Sequence, residues 1–320
     1  MVVVLRCAQT DLNTDPPGSG KENCHRPRKS AKLRANTMRL VYSPQCLNYA
    51  ATGHPECPER VRATVAALQH AAHTWLTPVA VTDRDILRVH TPAMLVAVRT
   101  GKFSDADTPV FPDIYELACL SAGGAVLAAE QARAGHAAFS VMRPPGHHAT
   151  RERVMGFCYF NNVAIAVARL LTEHALPRVA ILDFDCHHGN GTEEIFLRDQ
   201  RVLYVSLHQS PCFPGTGKVS VANCRNHPLP PGTGPAVFLA EFDKALAEIR
   251  AFKPNMLALS AGFDMYKGDP LTDMALEIET FQEIGRRVAA LALPTFAVLE
   301  GGYAPQLPDC VTAFINGWCP

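Results

Sequence analysis

Neither sign of charge is in excess in this 320-residue chain, where 30 Lys and Arg balance 30 Asp and Glu. That removes the basic footprint of a nucleic-acid binder and the acidic one of a solvating tail. Long apolar runs are missing too. The longest, such as "VAIAVARLL" and "NMLALSAGF", fall far short of the roughly 20 residues that cross a bilayer, so no membrane partner is expected. The 11 cysteines contain no CxxC pair, which excludes the usual thiolate zinc sites. In a chain of this length their odd number does not describe a disulfide framework. They read as thiols of a reducing compartment, and an intracellular, cytoplasmic protein is expected. A metal here would have to use histidine and carboxylate ligands.

No secretory leader is expected either, because "MVVVL" is too short for an apolar core and no cleavage pattern follows. Residues 1–37 hold "TDPPGSGKEN" and the basic "RPRKSAKLR" without apolar period. They are expected to form a disordered extension, a solvated charge run with a nuclear or organellar address as the alternative. One folded domain is expected over residues 38–320, beginning at "MRLVYS". Nothing in the sequence sets an oligomeric state.

What is present from Met38 onward is alternation. Short apolar or β-branched runs ("RLVYS", "AAFSVM", "RVAILDF", "RVLYVSL", "NMLALS", "PTFAVLE") read as strands. Between them, "CPERVRATVAALQHA", "DIYELACLSAGGAVLAAEQARA", "NNVAIAVARLLTEHA", "PAVFLAEFDKALAEIRAF" and "EIETFQEIGRRVAALA" carry the three- and four-residue spacing of amphipathic helices. The pattern predicts an α/β fold, a parallel sheet with helices on both faces. Each polar, glycine-rich cluster follows a strand: "RPPGHH", "DFDCHHGNG", "HQSPCFPGTG", "AGFDMYKGDP" and "GGYAP". In an open parallel sheet those ends converge on one edge, where ligands bind. Residues 208–235, rich in Pro and Gly, are expected to form a rim loop.

Asp185 and His187 stand two residues apart at a strand end and share a face in extended geometry. Carboxylate and imidazole suit Zn²⁺, with Asp264 of "SAGFD" as a third ligand and one position left open. The alternative is a satisfied polar network in which Asp185 and His187 bond each other and cap the next helix. His147 and His148 have Asp183 and Asn190 available to orient them. An imidazole facing Asp183 becomes more basic, whereas one facing neutral Asn190 stays a better proton acceptor. Tyr303, after two glycines, can donate to a developing oxyanion. Phe157 and Phe213, in glycine-flanked loops, can line a slot for an alkyl chain.

In their order, "RPPGHHA", "GFCYFNNVAIA", "DFDCHHGNGT", "SLHQ…FPGTG", "SAGFDMYKGDPL" and "LEGGY" resemble the signature blocks of zinc-dependent histone deacetylases and acetylpolyamine amidohydrolases. The resemblance covers about residues 38–320, with Asn190 and "RPPGHH" similar to the class II branch and its bacterial relatives. It implies an arginase-like fold with a largely parallel eight-stranded sheet, and Zn²⁺ (Fe²⁺ as the alternative) on Asp185, His187 and Asp264. It implies His147 and His148 as the catalytic pair, oriented by Asp183 and Asn190, and Tyr303 as oxyanion donor. It further implies K⁺ near Asp183, Asp185, His187, Ser206 and Leu207, and Asp107 as the rim carboxylate. Gly156, Phe157 and Phe213 would be tunnel walls, and Arg60 would lie at an acetate exit channel. Cys212 stands where many members carry a second Phe. Leu271 replaces the Glu of the polyamine-selective branch, which favours an acylated lysine over an acylated polyamine or other small amine as substrate. An inactive acyl-lysine-binding scaffold is the remaining alternative, although no ligand residue and no tyrosine is missing.

Overall fold

Strands form where β-branched and apolar residues run together, and their ends fall at the polar clusters. The computed structural model describes residues 37–319, so the extension expected over residues 1–37 lies, Thr37 apart, outside the described residues. The strands are β1 (Arg39–Val41), β2 (Thr74–Leu76), β3 (Ala138–Ser140), β4 (Val179–Asp183), β5 (Val202–Gln209), β6 (Cys224–Leu229), β7 (Met256–Ala261) and β8 (Thr295–Leu299). They make one sheet in the order β2-β1-β3-β8-β7-β4-β5-β6, with every neighbouring pair parallel. The helices are α1 (Pro58–Leu68), α2 (Asp83–Ile86), α3 (Pro92–Thr100), α4 (Ile114–Arg133), α5 (Asn162–Glu173), α6 (Asn190–Phe196), α7 (Pro235–Phe252), α8 (Ile278–Ala289) and α9 (Leu307–Trp318). The expected eight-stranded parallel sheet is the observed one. No described helix is long and apolar enough to cross a membrane.

Successive strand residues point to opposite faces and enter two separate cores. Leu40, Leu182, Leu259 and Leu299 pack with α1, α7, α8 and α9; Val41, Ile181, Ala258 and Val298 pack with α4 and α5. Burial on both faces is why β4, β7 and β8 are apolar along nearly their whole length.

Two departures from expectation have physical causes. The segment expected as a rim loop over residues 208–235 contains β6, whose "CRNHPL" is polar and carries Pro228. Proline is tolerated there because, among the described residues, β6 pairs only with β5 and is an edge strand. The sequence reading also passed over α3. Thr91 caps its start by accepting the Met94 N–H at 3.3 Å, and Gly101 at φ 65° ends it.

The topology positions the site. Strands β3, β8, β7, β4 and β5 are consecutive neighbours, so the clusters that follow them meet although they are spread from residue 143 to residue 303. At that edge Asp183 lies in register with Ser260 of β7 and Ser206 of β5.

Candidate active site

Asp185, His187 and Asp264 offer ligand atoms that all lie within 4.8 Å of one another. His187 Nδ1 is 3.2 Å from Asp185 Oδ1 and 2.8 Å from Asp264 Oδ2. Backbone amides aim both acids: His187 N–H donates to Asp185 Oδ1 at 2.9 Å, Gly301 N–H to Asp185 Oδ2 at 2.7 Å, and Cys186 N–H to Asp264 Oδ1 at 2.8 Å. Glycine is required at 301, because a Cβ there would stand 2.5 Å from the carboxylate oxygens of both Asp185 and Asp264. Burial, reinforced by the facing Asp185, pushes Asp264 up to about 7. Burial also opposes ionisation of Asp185, but His147 and His187 outweigh it and hold this carboxyl below the ordinary range. Two buried acids thus face one imidazole nitrogen, and a single ring proton cannot offset both. A divalent cation can, and the N/O donor set fits one.

The adjacent histidines are held differently. His147 Nδ1–H donates to Asp183 Oδ2 at 3.0 Å, and the Tyr204 hydroxyl donates to the same oxygen at 3.0 Å. Burial disfavours a charge on His147, yet Asp183 and Asp185 overcome it and raise this ring to about 10. His148 Nδ1–H donates to Asn190 Oδ1, the first residue of α6, at 2.8 Å. Burial, then the neighbouring His147 and His187, drives His148 well below the usual histidine range. The bond to Asn190 leaves Nε2 of His148 as the proton-accepting nitrogen.

These groups close one end of a cavity of about 390 Å³. His147, His148, His187, Gly301 and Tyr303 line it, as do Gly156, Phe157, Phe213, Leu271 and Asp107. Gly156 lies at φ 57°, and a Cβ there would come within 2.5 Å of the His148 ring. Phe157 stands edge-on to Tyr303 with centroids 5.7 Å apart, and Phe213 edge-on to His148 at 5.0 Å. Burial pushes the Tyr303 phenol well above its ordinary value, so the proton stays on the oxygen. Cys212, next to Phe213, is not on the wall; the aromatic side of the slot comes from Phe157 and Phe213. Ser206 and Leu207, named with Asp183, Asp185 and His187 for a monovalent cation, are buried on β5 beside Asp183. Arg60 lies behind the cavity and not on its wall. It donates to the carbonyls of Gly302 and Glu300, each at 2.6 Å, and to Glu56 at 3.1 Å.

Several residues that shape the site had escaped the sequence reading. Asp269 accepts the Tyr303 N–H at 2.7 Å and the Leu271 N–H at 3.0 Å. His54 lines the mouth and donates through Nε2 to the Asp107 carbonyl at 3.0 Å. Arg143 is fully buried and grips Glu56 through both oxygens, at 2.6 and 2.7 Å. Arg143 and Glu300 did carry a signal, a charged residue directly after an apolar run ("AAFSVM", "TFAVL"), as Asp183 is after "VAIL". The Arg143–Glu56 pair spans 87 residues, and no local pattern announces it.

A histone deacetylase domain matches residues 54–318. A probable deacetylase of Methanothermobacter thermautotrophicus is 40% identical over 298 residues, covering 88% of this chain and 90% of that one. A histone deacetylase-like amidohydrolase of Pseudomonas aeruginosa is 37% identical over 296 residues, covering 83% and 77%. The crystal structure of an acetylpolyamine aminohydrolase from Burkholderia pseudomallei superposes with a TM-score of 0.83 at 31% identity, over 88% of this chain and 98% of that one. With the domain matched across nearly all of the described residues, the chain belongs to the histone deacetylase family and is an enzyme of the amidohydrolase kind.

Proposed function

We propose that the protein is a zinc-dependent deacetylase that removes acetyl groups from lysine side chains, with residues 38–320 as one catalytic domain. The observation that carries this reading is the convergence of Asp185, His187 and Asp264 with His148 and Tyr303 at one end of an apolar slot. An ion on those three ligands, Zn²⁺ or Fe²⁺ by donor type, would polarise the acyl carbonyl and lower the pKa of a water from about 15.7 toward about 7. His148 takes the proton of the attacking water through Nε2. Tyr303 donates its phenolic O–H to the carbonyl oxygen as negative charge builds there. His147, which Asp183 keeps cationic, places positive charge beside the reacting carbon. One ring of the pair, once protonated, returns a proton to the departing amine nitrogen. Asp183, Asp185, His187, Ser206 and the backbone of Leu207 would hold a K⁺ that balances these acids.

The wall supports a lysine substrate over a polyamine. Gly156, Phe157 and Phe213 suit four methylenes, and Leu271 offers nothing to a second ammonium. Asp107, the one carboxylate among the described residues lining the cavity, would accept a backbone N–H from a peptide. Turnover of acetyl-lysine peptides and acetylated polyamines, with metal analysis of the same sample, tests the reading. Acetate release with kcat/KM highest for the peptides is expected. A preference for polyamines would make the protein a polyamine deacetylase, and acetyl-lysine binding without acetate release would make it a binding module.

A further inference from the structure

Behind the closed end of the cavity lies a carboxylate that the proposed chemistry does not use. Glu300 follows the last residue of β8, is fully buried, and does not line the cavity. A buried carboxylate is tolerated only where donors meet it. Oε2 of Glu300 accepts the backbone N–H of Gly146 at 2.7 Å and that of His147 at 3.1 Å, and Oε1 accepts the Ser260 hydroxyl at 3.1 Å. The side chain therefore pins the turn that carries the paired histidines to the end of β7, four residues before Asp264.

The main chain of Glu300 reaches the other side of the site. Its carbonyl, like that of Gly302, accepts from Arg60, whose guanidinium lies 4.6 Å from the centroid of the Tyr303 ring. Arg60 is fixed in turn by Glu56 and, through it, by Arg143. The segments so tied are held by partners distant in the chain: the His147 carbonyl accepts the Thr192 N–H at 3.1 Å, and Asp269 accepts the Tyr303 N–H at 2.7 Å. Gly146 precedes the histidines, and Gly301 and Gly302 precede the tyrosine, so their placement must be imposed from outside. One residue faces both turns.

We infer that Glu300 is a positioning residue whose reach, rather than its charge, sets the paired histidines against Tyr303. None of its three donors is charged. A carboxamide of equal length could accept both amide protons and donate to Ser260. Burial, against the pull of His147, pushes Glu300 up to about 7, so the charge itself is weakly held. Misplacing reacting groups by about 1 Å can cost on the order of 10² in rate.

The kinetic arm of the test rests on the deacetylase reading. With an acetyl-lysine peptide, Glu300→Ala should lose about 10²-fold in kcat, with KM within about threefold and metal content unchanged. Glu300→Gln should recover kcat to within about threefold of the unaltered enzyme, whereas Glu300→Asp, charged but one methylene short, should stay at least about tenfold down. Should the alanine variant not fold, the Gln and Asp variants carry the comparison alone. An active Asp variant with an inactive Gln variant overturns the inference, as does an alanine variant of undiminished kcat. A second arm needs no turnover. In proton NMR of the metal-loaded protein, the downfield Nδ1–H of His147 on Asp183 should persist in Glu300→Gln and shift or vanish in Glu300→Asp. An unchanged resonance in all variants also overturns the inference. If the unaltered protein releases no acetate, the deacetylase reading fails while the spectra still decide the role of Glu300.

Discussion

At the closed end of the cavity Asp264 is fully buried, and each of its carboxylate oxygens meets a nitrogen. At the mouth, Phe213 is 42% exposed and Leu271 38%. The first region is over-determined: backbone amides, glycines at close approach and buried acids leave each functional atom one place to be. The second is made of side chains that line the cavity on one side and face water on the other. Changes at the closed end should therefore act on metal binding and kcat, and changes at the mouth on KM and on the choice between substrates. Asp269 crosses the divide, since one of its oxygens holds the Tyr303 N–H and the other the Leu271 N–H.

The largest effect should come from Asp264→Ala. Removing it would leave the proposed ion two ligands, so metal content and turnover should vanish together in parallel metal analysis and acetate-release assays. A variant that keeps full metal occupancy would break the distinction between the two ends. Tyr303→Phe should be smaller and cleaner, a loss of about 10²–10³ in kcat, the usual consequence of removing one oxyanion donor. KM and bound metal should hardly move.

Next in size is an effect on stability. His90 is buried beneath the loop that carries His148. It donates through Nδ1 to the Thr150 carbonyl at 2.8 Å and accepts the Asn161 N–H on Nε2 at 2.9 Å. The neutral ring satisfies both partners, and burial lowers its pKa from 6.5 to about 4. Below pH 6.5 the unfolded chain takes up a proton that the folded one refuses, so stability is lost as pH falls toward 4. At about 1.36 kcal/mol per pH unit the loss is on the order of 3 kcal/mol. Denaturant unfolding across that window should show a shallower decline in His90→Gln than in the unaltered protein; parallel declines would remove His90 from the account.

The two regions also differed in how much of them could be read from the sequence. Strand ends advertise themselves. Asp183, Asp185 and His187 stand out against "VAIL", and once the sheet is parallel, Asp264 and Tyr303 must come to the same edge. The division between His147 and His148 follows from which neighbour is a carboxylate. What escaped was the support: Glu56 on Arg143, Glu300 on two amides, Asp269 on Tyr303. These contacts join positions tens or hundreds of residues apart, and their sequences show no period that links them. β6 escaped for a different reason, since an edge strand need not be apolar on both faces and so can look like a loop.

The smallest effect should appear at the mouth, and it sharpens the contrast most directly. Leu271 contributes apolar surface and no charge where an acylated polyamine would place a second ammonium. Leu271→Glu would put a carboxylate there while Asp269, two residues earlier, still fixes the backbone through the residue 271 N–H. An exposed ion pair contributes only about 0.2–1 kcal/mol. The ratio of kcat/KM for acetylated polyamine over acetyl-lysine peptide should therefore rise by no more than about fivefold, and added salt should diminish the gain as the Debye length falls from about 10 Å at 0.1 M toward about 3 Å at 1 M. The shift should lie in KM, with kcat unchanged for both substrates, since no group at the closed end has moved. A change in kcat would mean that Asp269 transmits the substitution to Tyr303, and the two ends of the cavity would then have to be treated as one mechanical unit.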